Sequence, residues 1–332
     1  MTGGGYLFAY FTTAQEEDGE QVRFARSVGG DPLHWQNLHG GHPVVTSRIG
    51  TRGLRDPFLL RAAGLPDEAA KFYLLATDLR IGPGGRPRDW KECQRNGSRS
   101  IVISESEDLV TWSDPWLLDV APPEAGNAWA PEACYDELSG NYFVYWASTL
   151  YESEEDRAFG EGYSRMLGAT TLDFRRIDPP QIWVDQGRSV IDATVVRDGK
   201  YFYRFIKDER TRDSSTAAAR FITLERSTTL KSADYQLIGE GIGSAEHSGG
   251  EGLVHGEGPI AVAALDRSTW YLFIDEFGLR RYVPFESTRI DTVQWTRSTG
   301  YSLPAGASHG SILTLSAQEW EAVGALGAGP AR

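Results

Sequence analysis

The sequence predicts an all-β protein, a five-bladed β-propeller whose last blade is completed by strands from both ends of the chain. Three observations carry that prediction. The apolar residues recur with a period near two, in runs rich in aromatic and β-branched side chains bounded by Gly, Pro, Asp and Asn. One strand-then-aromatic unit recurs five times at a nearly fixed spacing. A short polar motif opens each repeat. Composition agrees with a folded, turn-rich chain: of 332 residues, 40% are hydrophobic and 24% charged, with 37 Gly, 16 Pro and 10 Trp. The length allows two domains, but β-rich folds of this size often form one, and a single propeller domain over residues 1–332 is expected.

In chain order, Tyr6–Phe11 and Gln21–Ser27 read as strands, followed by Lys71–Thr77, Ser100–Ser104, Tyr201–Ile206 and Trp270–Ile274. The repeated unit is an apolar strand, small polar residues and then an aromatic. Its copies lead from Phe24 to Trp35, Val102 to Trp112, Leu167 to Phe174, Leu224 to Tyr235 and Tyr282 to Trp295, and Trp35, Trp112 and Trp295 are read as blade packing. β-rich repeats of about four strands favour a propeller over a solenoid. The five openings are Arg55-Asp56-Pro57, Trp129-Ala130-Pro131-Glu132, Ile191-Asp192-Ala193, Gly256-Glu257-Gly258-Pro259 and His309-Gly310-Ser311. Too little chain follows the last to finish a blade, so the N-terminal runs are expected to supply its missing strands and hide both edges. The helical candidate is the tail after Ser316, where Ser316 and Glu319 form a capping-box pattern.

The first strand of each blade lines the central channel of a propeller, so these openings converge although they are distant in sequence. Asp56, Asp192 and Glu257 are the carboxylates that meet there. Like charges held close push at least one pKa upward, which suits a general acid, while another carboxylate stays ionised as a base. An acid and a base carboxyl are the usual machinery of glycoside hydrolysis. Trp129 is a channel-wall residue able to stack on a sugar face. His255, two residues before Glu257, falls on the same side where strand alternation already holds, and a loop position is the equal alternative. Glu132 reads as a hydrogen-bond anchor.

In the order of its motifs, Arg-Asp-Pro, Trp-Ala-Pro, Ile-Asp, Glu-Gly-Pro and His-Gly-Ser, the chain resembles the family 43 glycoside hydrolases, five-bladed propellers that include arabinofuranosidases and xylosidases. The resemblance covers essentially the whole chain and implies an inverting hydrolase that removes arabinofuranosyl or xylosyl residues from plant-type oligosaccharides or polysaccharides. It implies Asp56 as general base, Glu257 as general acid and Asp192 as the group that lifts the pKa of the acid and orients it. It places His309 near a metal or water in the channel, so that no cofactor is required but calcium is allowed there. Asp192-Ala193 departs from the Asp-Pro of many members. Two other readings are a retaining β-fructosidase, on Arg-Asp-Pro and Glu92-Cys93, and a non-catalytic sugar-binding propeller. Glu92 follows Asp56 by about half a blade, and the channel motifs differ from blade to blade, so both fit less well.

The charge balance is 33 Lys and Arg against 46 Asp and Glu, a net −13, which argues against nucleic acid or an anionic membrane as partner. The two cysteines, Cys93 and Cys134, provide no disulfide framework and no CxxC pair. The apolar run at Tyr6 is too short to span a membrane and lacks a signal-peptide pattern. The chain as written is expected in the cytoplasm, or outside the cell if a leader has been removed. Substrate choice is expected to lie in the loops at Gly82–Arg86, Tyr151–Tyr163, Asp208–Thr216 and Gly241–Gly252.

Overall fold

The computed structural model describes residues 4–13, 18–64, 71–82, 89–210 and 220–327. The N-terminal strands are β1 (Gly5–Thr12), β2 (Arg23–Val28) and β3 (Asp31–Asn37). Blade I follows with β4 (Arg55–Arg61), β5 (Phe72–Thr77), helix α1 (Trp90–Asn96), β6 (Ser100–Ser106) and β7 (Trp116–Asp119). Blade II holds β8 (Trp129–Asp136), β9 (Asn141–Leu150), β10 (Tyr163–Thr171) and β11 (Gln181–Val184). Blade III holds β12 (Val190–Asp198), β13 (Tyr201–Asp208), β14 (Ile222–Ser227) and β15 (Gln236–Ile242). Blade IV holds β16 (Glu257–Ala263), β17 (Trp270–Glu276), β18 (Arg281–Ser287) and β19 (Thr296–Arg297). Last come β20 (Ala307–Leu315) and helix α2 (Ala317–Val323).

Among the described residues the strands form five antiparallel sheets of four, and the fifth has the order β20-β1-β2-β3. The first strands touch in a closed cycle, β4 to β8 to β12 to β16 to β20 and back to β4. The fold is therefore the five-bladed propeller expected, and the C-terminal strand closes it by pairing with β1 from Gly5↔Leu315 to Thr12↔Ala307. Closure leaves only the short outer strands as edges.

Five apolar clusters fill the five gaps between blades, and each takes one of the repeated aromatics: Phe174, Trp112, Trp295, Tyr235 and Trp35. The repeat has a local cause. A hydroxyl at the end of the third strand accepts the amide two or three residues on, as Ser106 does from Leu109 (2.8 Å) and Thr171 from Phe174 (3.0 Å). The chain then turns back, and the indole N–H of Trp35, Trp112 and Trp295 donates to the carbonyl three residues earlier. A large apolar ring is thus buried with its polar atom satisfied.

Helix α2 has the expected capping box, with the Glu319 carboxylate accepting from the Ser316 amide (2.8 Å), and Trp320 of α2 donates to the Ser27 carbonyl (3.1 Å). Helix α1 was not expected from the sequence. Its seven residues are too few for an amphipathic period, and its start is marked by Asp89, whose carboxylate accepts the Glu92 amide at 2.7 Å. Cys93 and Cys134 are not joined in a disulfide. Of the four loops expected to govern substrate choice, 83–88 and 211–219 lie outside the described residues.

Deleting residues 1–13 removes the strand between β20 and β2. We expect the truncated protein to lose the cooperative thermal transition in circular dichroism. A soluble truncation with the wild-type melting curve would contradict closure through β1.

Candidate active site

The site is built by one irregularity repeated in every blade. Near its start each first strand carries an extra residue relative to the second strand. Arg55 to Phe58 spans Thr77 to Leu75, Trp129 to Glu132 spans Ala147 to Tyr145, and Ile191 to Thr194 spans Lys207 to Phe205. Glu257 to Ile260 spans Asp275 to Phe273, and Ser308 to Ser311 spans Phe11 to Ala9. These are β-bulges, which re-aim side chains. The second residues of the five bulges are Asp56, Ala130, Asp192, Gly258 and His309, and the first four have positive φ of 50°, 47°, 53° and 52°. The left-handed backbone costs an L-residue about 1 kcal/mol or more.

Side chains of the preceding blade take three of the bulge amides, two of them at the left-handed residues Ala130 and Gly258. The Ala130 N–H donates to the Thr77 hydroxyl (2.8 Å), the Gly258 N–H to Asp192 (3.1 Å) and the His309 N–H to Asp275 (3.0 Å). Three bulges thereby aim polar groups at one point. The His309 Nδ1 lies 3.4 Å from an Asp56 oxygen and 3.8 Å from Asp192. The other two bulges carry small residues. A Cβ on Gly258 would come within 2.8 Å of the His309 ring, so glycine is required there both for φ and for space.

Asp56, Asp192, Glu257 and His309 all line one pocket of about 390 Å³, together with Trp129. Its wall also contains Trp90 from α1, Phe277 and Lys207, which the sequence reading missed. Trp90 stands edge-on to both Trp129 and Phe277, with ring centroids 6.0 and 6.1 Å apart. The Arg55 guanidinium lies over Trp90 at 5.1 Å and is paired with buried Glu20 at 2.9 Å. One side of the pocket is therefore aromatic and the other ionic. His255 is not among the lining residues. Its Nε2 meets the Phe277 carbonyl at 2.9 Å, so it braces the segment that carries Phe277. Glu92 sits on the exposed surface of α1 and bonds to Asn96, outside the pocket.

The polar groups of the pocket differ in surroundings. Asp56 accepts the Thr77 hydroxyl at 2.6 Å. Burial raises Asp192 to about 6, with the Glu257 and Asp56 carboxylates adding to the rise and His309 and Lys207 opposing it. Burial alone would also raise Glu257, but the Lys207 ammonium, 2.6 Å away, holds its carboxyl below the ordinary glutamate value, helped by His309 and Arg55. The like-charge repulsion expected to lift Glu257 thus falls on Asp192 instead. Burial alone would lower His309, but the carboxylates of Asp192, Asp56, Glu257 and Glu132 outweigh it and raise the imidazole. Glu132 accepts the Tyr145 hydroxyl at 2.9 Å, and burial raises its carboxyl to about 8 against that bond.

Among the described residues no group of three or more His, Cys, Asp or Glu is arranged to hold a metal ion. The His309 Nδ1 faces the Asp56 and Asp192 carboxylates and forms a charge cluster with them.

A family model described as "Probable glycosyl hydrolase domain" matches residues 3–321. An α-L-arabinofuranosidase of Bifidobacterium longum subsp. longum is 33% identical over 239 residues, 68% of this chain and 21% of its own. The chain thus spans about a fifth of that curated relative. Among solved structures, an α-L-arabinofuranosidase from Fusarium graminearum is 14% identical with a TM-score of 0.53, covering 88% of this chain and 76% of its own. A family 43 glycoside hydrolase from a capybara gut metagenome is also 14% identical, with a TM-score of 0.50 over 91% of this chain and 48% of its own. These two structural likenesses bear on the fold alone.

Gly258→Ala places a methyl against the His309 ring in a left-handed backbone. The expected cost is about 2–4 kcal/mol, the sum of conformational strain and overpacking. Chemical denaturation would measure it. A stability equal to wild type would show that the bulge relaxes freely.

Proposed function

The chain belongs to the glycosyl hydrolase 43-related family, and from that premise we propose that it is an inverting glycoside hydrolase that releases arabinofuranosyl residues, with Asp56 as general base and Glu257 as proton donor. The observation that carries the proposal is the gathering of Asp56, Asp192 and Glu257 in one pocket, the first two as the second residues of their bulges and Glu257 as the first residue of its own. Two carboxyl groups in distinct surroundings divide acid and base work.

In this reading Glu257 gives its proton to the glycosidic oxygen as the bond from that oxygen to the anomeric carbon breaks. A water attacks the same carbon from the opposite face, and Asp56 takes the proton that the water loses. Asp56 then returns its proton to solvent and Glu257 regains one, so the net reaction is addition of water across the bond. Asp192, which accepts the amide next to Glu257, fixes the backbone that carries the acid. The rings of Trp90, Trp129 and Phe277 offer an apolar wall for a sugar face. The pocket volume lies in the range of small-ligand sites. The name of the Bifidobacterium relative supports arabinofuranose over xylose as the sugar.

Asp56→Asn and Glu257→Gln are each expected to keep the wild-type circular dichroism spectrum and to lower kcat/KM on nitrophenyl α-L-arabinofuranoside by about 10²-fold or more. A parallel assay on the β-D-xyloside ranks the two sugars. Full activity in either folded variant would remove that residue from the chemistry. The anomer released, followed by NMR, is expected to be inverted, and a retained anomer would overturn the single-displacement mechanism.

A further inference from the structure

Lys207 is the last apolar-strand neighbour one would expect to find at a catalytic wall. It ends the inward-facing part of β13, opposite the bulge residue Ile191, and its side chain is only 7% exposed. A buried ammonium is costly unless it is paired on more than one side. Its Nζ contacts two carboxylates at once, Glu257 at 2.6 Å and Glu209 at 2.5 Å. The contact with Glu257 crosses from blade III to blade IV, and both carboxylates line the pocket. Glu257 thus has a fixed cation on one side, and that cation has a second anchor nearer solvent.

We infer that Lys207 is a positioning residue that holds the Glu257 carboxyl in place and divides its charge between Glu257 and Glu209, so that one ammonium governs how readily Glu257 takes up the proton it must deliver. The inference rests on the reading of Glu257 as proton donor. Lys207 does not act alone on that carboxyl. His309 from β20 and Arg55 from β4 also favour its ionised form, while Asp192 from β12 and Asp275, its cross-strand neighbour on β17, oppose it as like charges. Of these, Lys207 makes the hydrogen bond to Glu257 and is the largest favourable influence on its charge. Glu209 has no such bond to Glu257. It acts on the acid through the lysine and through its own negative charge.

The two flanks of the lysine should therefore move the acid in opposite directions. Lys207→Met leaves Glu257 buried among like charges, so it holds its proton to higher pH. Glu209→Gln frees the ammonium to face Glu257 alone, so the proton is lost at lower pH. Lys207→Arg keeps the charge. The measurement is the alkaline limb of kcat/KM against pH on an aryl glycoside with a poor leaving group, which reports the acid of the free enzyme. We expect the limb to rise by about one pH unit in Lys207→Met, since an adjacent opposite charge has about that effect. It should fall in Glu209→Gln and stay near wild type in Lys207→Arg. A residue that only supports the fold would lower kcat without moving the limb. A folded Lys207→Met with an unmoved or lowered limb overturns the inference. Should that variant not fold, a limb that rises or stays in Glu209→Gln overturns it equally. Glu257→Gln run alongside separates the two failures. Full turnover in Glu257→Gln removes the proton donor and the inference together, whereas loss of turnover there with an unmoved Lys207→Met limb removes the inference alone.

Discussion

The rest of the structure depends on the bulge amides of three inner strands, those of Ala130, Gly258 and His309. Turning a strand residue into the left-handed region strips that amide from its ladder, and a buried unpaired N–H costs about as much as a lost hydrogen bond. The propeller answers from the neighbouring blade, with Thr77 bonding to Ala130, Asp192 to Gly258 and Asp275 to His309. The same groups that knit blade to blade therefore also stand at the channel. Asp192 shows this most plainly, because one of its oxygens holds the backbone beside Glu257 while it approaches His309. Fold stability and site geometry share their hydrogen bonds, so neither is easily altered alone.

The second consequence is electrostatic. Bulges on a ring collect like charges on its axis, and three carboxylates in one pocket would repel one another. His309, Lys207 and Arg55 supply the compensating charge, each from a different blade. The compensation is uneven. Lys207 bonds directly to Glu257, whereas Asp192 is the more deeply enclosed of the pair and takes the rise to about 6. Two neighbouring carboxyls consequently differ in proton affinity although both come from the openings of adjacent blades. The higher proton affinity of the two lies on Asp192, beside the proposed donor Glu257.

Much of this was legible in the sequence because the propeller writes its architecture as repetition. The strand-and-aromatic unit marks the third strands and the rings between blades, and the five openings mark the inner strands, so Asp56, Asp192, Glu257, Trp129 and His309 could be placed at the channel from their order alone. The second strands were harder to read. Thr77, Lys207 and Asp275 face the bulges, and each ends an apolar run with one polar residue. That interruption was a signal, but it resembles the ordinary end of a strand. Trp90 could not be placed, because a seven-residue helix between β5 and β6 has no periodicity to betray it. Of the two positions open to His255 the loop is the one observed: it precedes the first residue of β16, so strand alternation does not yet apply, and its ring turns to the Phe277 carbonyl.

A crystal structure of the Asp56→Asn protein with an arabinofuranosyl oligosaccharide would test most directly whether the bulges assemble a catalytic centre. The account predicts a terminal sugar in the pocket, its ring against the Trp129 wall, the glycosidic oxygen within hydrogen-bond reach of Glu257, and the residue-56 side chain on the opposite face of the anomeric carbon. A sugar bound on the outer surface of the blades, or one in the pocket with both carboxyl positions on the same face of that carbon, would contradict it.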